Sequence, residues 1–236
     1  SLNEQYGLVT GDGIRRIDLK SLNNVRIKNE RLLCFYNSII YNGKVLSNDT
    51  YKDESKVKYY DVNELIAAKE GEAPAVTELD IIQKQKINFV LAKDGNVYTL
   101  ESADNGCNIV KIKNDFTLEK VFANFQPAKG PYHSSPTIGM VASETENIIY
   151  LVSTDGAIYK YILGDSDSLK APFIAAESGV SITAPLQLNQ QSGELYVTYT
   201  EERKDESKIV VYSKDGKVLH TVDCGESVPS QILFNN

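Results

Sequence analysis

"GELYVTYTEERKDESKIVVYSKDGKVLHTVD", residues 193–223, decides the fold. A glycine opens an apolar run rich in β-branched and aromatic residues, Leu195–Tyr199, which a charged stretch then interrupts. A second run, Ile209–Tyr212, is cut by a "KDG" turn, and a third follows at Val218–Val222. Short runs of this composition, punctuated by Gly, Asn and Asp, read as antiparallel strands joined by tight turns. Working outward, the opening run recurs as "GKVLSND" (43–49), "GNVYTLES" (95–102) and "NIIYLVST" (147–154). With Leu46, Tyr98, Tyr150 and Tyr196 taken as equivalent, the steps are 52, 52 and 46 residues.

A second strand follows each copy, in "KVKYYDV" (56–62), "NIVKIKN" (108–114), "GAIYKYIL" (156–163) and "KIVVYSKDG" (208–216). One piece is nearly literal: "KDESKVKYY" (52–60) returns as "KDESKIVVY" (204–212). Strands are also expected before each pair, at "RLLCFYN" (31–37), "INFVLAKD" (87–94), "TIGMVASE" (137–144) and "ITAPLQLN" (182–189). Others are expected after it, at "AVTELDI" (75–81), "TLEKVFAN" (117–124), "PFIAA" (172–176) and "KVLHTVD" (217–223). Four antiparallel strands in about 50 residues, repeated, define the blade of a β-propeller. Residues 6–28 supply three strands of a further blade, and "VPSQILFNN" (228–236) reads as a lone strand able to complete it. The expectation is a single all-β domain over residues 1–236, a five-bladed β-propeller closed by pairing of its C-terminal strand with the N-terminal blade. A piece of a six- or seven-bladed ring is the alternative. Helix is expected only at "DVNELIAAKEGEAP" (61–74), as an insertion covering the outer edge of the second blade. "GDSDSLKAP" (164–172) reads as a loop in the corresponding place of the fourth blade.

"LYVTY" (195–199), "VVYSKDGK" (210–217) and "PSQILF" (229–234) resemble the terminal blade of bacterial YVTN-type, surface-layer-like β-propeller proteins. The middle repeats match less closely, and Leu46 replaces the family's tyrosine. The resemblance implies a non-enzymatic binding protein outside the cytoplasm, in the periplasm or on the cell surface, lipid-anchored through a removed N-terminus. Its implied partner is a small molecule or a surface protein, an outer-membrane transporter among them. It carries over no catalytic residue.

Composition narrows the functional classes. A formal net charge of −7 without a basic stripe disfavours nucleic acid. No apolar run approaches the roughly 18–20 residues of a membrane helix. Cys34, Cys107 and Cys224 lack metal or redox spacing, and their number is odd. They read as two buried thiols and one loop thiol, with a single bridge left open. "DSDS" (165–168) and "ADNG" (103–106) do not complete a calcium loop, so no metal and no cofactor is expected.

On a propeller, the loops entering each innermost strand share one face with the loops joining second and third strands. The longest entering loop is "FQPAKGPYHSSP" (125–136), stiffened by Pro127, Pro131 and Pro136. Ligand contact is therefore expected from Tyr132 and His133, helped by Gln126, Ser134 and Tyr51. The competing reading is a corner shaped by its prolines. A protein-interaction scaffold using the two "KDESK" loops is a second class. A glycoside hydrolase is a third; its acids would come from Glu30, Asp12, Asp155, Glu177 and Glu226.

Overall fold

The structure, a computed structural model, describes residues 4–11, 13–28, 38–48, 55–72, 74–84, 88–128, 139–201, 206–229 and 232–234. Five antiparallel sheets form in chain order, and the chain divides into two compact units, Ser1–Phe89 and Val90–Asn236.

In the first unit, β1 (Tyr6–Gly11), β2 (Gly13–Asp18) and β3 (Asn24–Lys28) make a three-stranded sheet. The second sheet runs β4 (Ile39–Tyr41), β5 (Lys44–Asn48), β6 (Ser55–Asp61) and β7 (Val76–Gln83). The first strand of this blade was expected at 31–37, outside the described residues; Ile39–Tyr41 pairs with β5 across the turn at Asn42 and Gly43. Helix α1 (Val62–Ala67) stands between the third and fourth strands, as its capping signal indicates. Asp61 Oδ1 accepts from Asn63 N at 2.8 Å and Glu64 N at 3.3 Å, while Lys44 Nζ holds Oδ2 at 2.6 Å. The helix is more than an edge cover. Leu65 is fully buried in a cluster with Ile27 of β3 and Val45 and Tyr60 of the second sheet. It therefore packs between two blades. Gln83 is buried and accepts from Asn48 Nδ2 at 2.7 Å.

The second unit opens with a four-stranded sheet, β8 (Val90–Leu91), β9 (Val97–Ala103), β10 (Gly106–Ile112) and β11 (Leu118–Phe125). The next sheet has three strands, β12 (Met140–Ala142), β13 (Ile148–Val152) and β14 (Ile158–Ile162). The fourth strand expected at 172–176 does not form. Ile174 makes one isolated bridge to Ile158 and the chain then leaves the sheet. The loop expected before it holds a 3-10 helix, Ser166–Leu169, capped by Asp165, whose side chain accepts from Asp167 N at 3.0 Å. The last sheet comprises β15 (Val180–Ile182), β16 (Gln187–Leu188), β17 (Leu195–Glu201), β18 (Ser207–Tyr212) and β19 (Val218–Gly225). Its expected first strand is split in two around Pro185, which has no N–H to give the ladder. Of the expected final strand, Val228–Pro229 and Ile232–Phe234 are described and lie outside any strand.

The short first strands lie side by side in the second unit: β12 neighbours β8 on one flank and β16 on the other. Outer strands are progressively exposed, and β19 shows Val218 and Val222 more than half exposed. Between the last two sheets lies one apolar cluster, joining Ile148, Tyr150 and Ile158 to Leu186, Leu195, Val197 and Tyr212. Polar links run across the same seam. Gln190 Nε2 donates to Ala142 O at 3.0 Å, its Oε1 accepts from Glu144 N at 2.8 Å, and Lys214 Nζ meets Glu146 at 2.6 Å.

The repeat tyrosines behave as a set with one exception. Tyr98 and Tyr150 are 1% and 2% exposed. Tyr98 donates to Asp94 Oδ2 at 2.8 Å, the same oxygen that Lys111 Nζ reaches at 2.8 Å. Burial pushes the Tyr150 phenol up to about 12. Tyr196, at the equivalent position of the last repeat, is only half-buried, and Phe234 packs edge-on against it at 5.0 Å between ring centroids. Cys107 is a buried free thiol, and Cys224 is a half-buried free thiol on β19.

Candidate ligand-binding groove

The site begins with a register fault. Along β10 and β11, Cys107 faces Phe125 and Ile109 faces Phe122, so Ala123 and Asn124 together oppose Asn108 alone. The extra residue is a β-bulge. Asn124 adopts φ +61°, a left-handed conformation that asparagine tolerates better than most residues. In a regular strand Phe122 and Phe125, three positions apart, would point to opposite faces. The bulge removes that alternation, and both rings line the same groove.

Beyond the bulge the chain crosses toward the next sheet. Ala128 N donates to Val152 O at 2.8 Å, Thr154 N donates to Gln126 O at 2.8 Å, and Thr154 Oγ1 donates to Pro127 O at 2.9 Å. The start of the long entering loop and the "TDG" joining loop of the same blade therefore meet, as the shared-face argument requires. Gln126 itself is tied back to the preceding blade: its Nε2 donates to Asn105 O at 2.6 Å. Gly106 makes room for this. A Cβ there would stand 2.5 Å from Phe125 O and would strike the Gln126 amide, and Gly106 has φ +118°. Only glycine fits without displacement.

These elements border an open groove of about 480 Å³. Phe122, Phe125, Tyr159 and Leu169 give it apolar walls; Phe125 and Tyr159 are perpendicular, with centroids 5.7 Å apart. Leu169 arrives from the 3-10 helix. The lip is polar, with Asn124, Gln126, Thr154 and Asp155. Asp155 is the one charged group among the described lining residues. Its Oδ1 accepts from Ser153 Oγ and from Ala157 N, the latter at 3.2 Å, and Gly156 closes the turn at φ +84°. The Ser153 hydroxyl, outweighing partial burial, holds the carboxyl below its ordinary range, so Asp155 is ionised near neutrality. A volume of this size with apolar walls and a few placed polar groups suits a small organic molecule.

Of the residues expected to touch a ligand, Gln126 lies on this lip. Tyr51, Tyr132, His133 and Ser134 lie outside the described residues. So do Glu30 and Asp12 among the acids considered for hydrolysis. Glu177 is paired with Lys208 Nζ at 3.0 Å, and Glu226 is exposed. Sequence reasoning missed Phe122, Tyr159 and Leu169. The signal was present in "FANF" (122–125), where two aromatics at odd spacing flank an asparagine. His220 is exposed on β19 opposite Val211.

Comparison with solved structures identifies the class. TolB from Acinetobacter baumannii superposes with a TM-score of 0.57 at 9% identity, covering 90% of this chain and 51% of that one. Prolyl oligopeptidase B from Galerina marginata gives 0.55 at 13% identity, covering 92% of this chain and 32% of that one. A catalytically inactive virginiamycin B lyase from Staphylococcus aureus, crystallised with quinupristin, gives 0.51 at 13% identity and covers 100% of this chain and 73% of that one. This chain thus spans about half the length of TolB and a third of the oligopeptidase. The neighbours are β-propeller proteins, and the five antiparallel sheets described above match the blades of that fold. No curated protein matches the chain. The chain belongs to the family described as "Domain of unknown function (DUF5074)", whose model matches residues 1–235.

Proposed function

We propose that this chain is a non-enzymatic binding protein that captures a small molecule in the groove beside Gln126. The observation that carries this reading is the open groove of about 480 Å³ built by a bulge, a glycine-permitted close approach and an inter-blade crossing. Such sites on a rigid scaffold are pre-formed and lose little entropy on binding. A hydrolase is less well supported. Glycoside cleavage needs two carboxyl groups at the reacting bond, and Asp155 is the single one among the described lining residues. We further propose that the five blades close into a ring, with the segment around Ile232–Phe234 beside the three-stranded first sheet. The likeness to surface-layer-type propellers supports a location outside the cytoplasm and delivery of the captured molecule to a transporter.

The chain contains no tryptophan, so the Phe122→Trp variant carries a single indole in the groove wall. Its emission should shift saturably with at least one class of low-mass compound, and that compound should raise the thermal midpoint of the unsubstituted protein. A broad panel that moves neither signal would overturn the reading. Closure has its own test. Spin labels at Gln5 and Leu233 should report a short separation, since neighbouring strands lie about 5 Å apart. A long or broad distance distribution would sink closure alone.

A further inference from the structure

Among the described residues, the groove combines an aromatic lining with one anion. Phe122, Phe125 and Tyr159 present ring surface, and the Asp155 carboxylate stands on the lip with no lysine, arginine or histidine among the described lining residues. The two bonds that fix Asp155 in its turn both fall on Oδ1. The other described lip groups, Asn124, Gln126 and Thr154, are neutral. A neutral hydroxyl can donate to the carboxylate but brings no opposite charge, and an anionic ligand would be repelled by it. A cation gains twice, from the carboxylate by a charge-assisted bond and from ring faces by cation–π attraction. The net charge of −7 acts in the same direction at longer range.

Building on the groove as the binding site, we propose that its ligand is an organic ammonium: a compact apolar or aromatic body seated against Phe122, Tyr159 and Leu169, with its protonated amine at Asp155 Oδ2. Asp155 is a specificity-determining residue here. The apolar walls supply contact area common to many molecules, and the carboxylate selects among them by charge.

The test uses three probes of similar size, phenethylamine, phenethyl alcohol and phenylpropionate, titrated into the intact chain and followed by calorimetry and by the Phe122→Trp emission. The amine should bind about 10-fold or more tightly than the alcohol, the range expected for one charge-assisted bond, and phenylpropionate should bind weakest. Asp155→Asn keeps the acceptor for Ala157 N. In that variant the preference for the amine should disappear, with the amine losing far more affinity than the alcohol. Equal binding of amine and alcohol overturns the proposal and leaves the groove as a binding site. Amine preference that persists in Asp155→Asn also overturns it. If none of the three perturbs the indole, the ammonium proposal falls. If the broad panel is also silent, the binding reading falls with it. A thermal midpoint of Asp155→Asn close to that of the original chain verifies that the variant is folded.

Discussion

Gly106 concentrates the site's dependence on one residue. Its Cβ would collide with a backbone oxygen, Phe125 O, which cannot swing away as a side-chain end can. Gly106→Ala should therefore lower stability by about 1–3 kcal/mol, the range for forcing a residue into a disfavoured backbone region. Urea unfolding measures this, and ligand affinity should fall in parallel because Phe125 moves. The tyrosines provide a graded comparison. Tyr98→Ala and Tyr150→Ala should each cost about 3–5 kcal/mol as fully buried aromatics. Tyr196→Ala should cost clearly less, since that ring is half-buried. Equal losses at all three would show that exposure does not set the cost. Tyr98 and Tyr150 share one position of the repeat, and each lies in a run of consecutive buried residues. Tyr196 shares that repeat position but is less buried, because its burial depends on what packs against the last blade, where it meets Phe234.

At the level of elements, strand positions were mostly legible, and the exceptions have physical causes. β5, β9, β13 and β17 fall where the repeated apolar runs placed them. "PFIAA" carries strand-like residues but follows a 3-10 helix, and the chain makes one bridge at Ile174 before departing. Propensity cannot register a missing neighbour. Hydrogen exchange should then protect Phe173 and Ile174, whose N–H groups bond to Ile158 O, and leave Ala175 and Ala176 fast. Uniform protection across 172–176, comparable to β11, would contradict the three-stranded sheet. The groove was less legible than the strands. A bulge shows in sequence only as a phase slip, and "FANF" is too short for periodicity to expose one. The prolines of the entering loop drew attention to Gln126, which lines the groove, but nothing local connects that loop to Tyr159 or Leu169.

Across the whole chain, the charges predict a one-sided response to acid. Asp18 is held near 2 by the backbone N–H of Ser21, together with Gln5 and Lys20. Asp61 and Glu146 are lowered mainly by Lys44 and Lys214. Burial pushes Asp94 upward, but Lys111 and Tyr98 outweigh it and the net shift is down. Groups whose folded values lie below the unfolded ones add stability above the ordinary carboxylate values, 3.8 for Asp and 4.5 for Glu, and lose it as pH falls through the folded values. The thermal midpoint should be level near neutrality and decline from about pH 4.5 toward 2, with the loss shallower at high salt for the exposed pairs. A midpoint that rises on acidification would contradict the assignment.

The apolar seam between the last two sheets has an evolutionary corollary. Repeat arrays grow and shrink by duplicating or deleting modules, which is tolerated where every junction is interchangeable. This junction is not: Gln190 and Lys214 reach specific backbone and carboxylate partners on the preceding module, and the greasy surfaces are matched to each other. A module spliced in at that point would present two mismatched surfaces to water, so changes in blade number are expected to have been accommodated elsewhere along the chain.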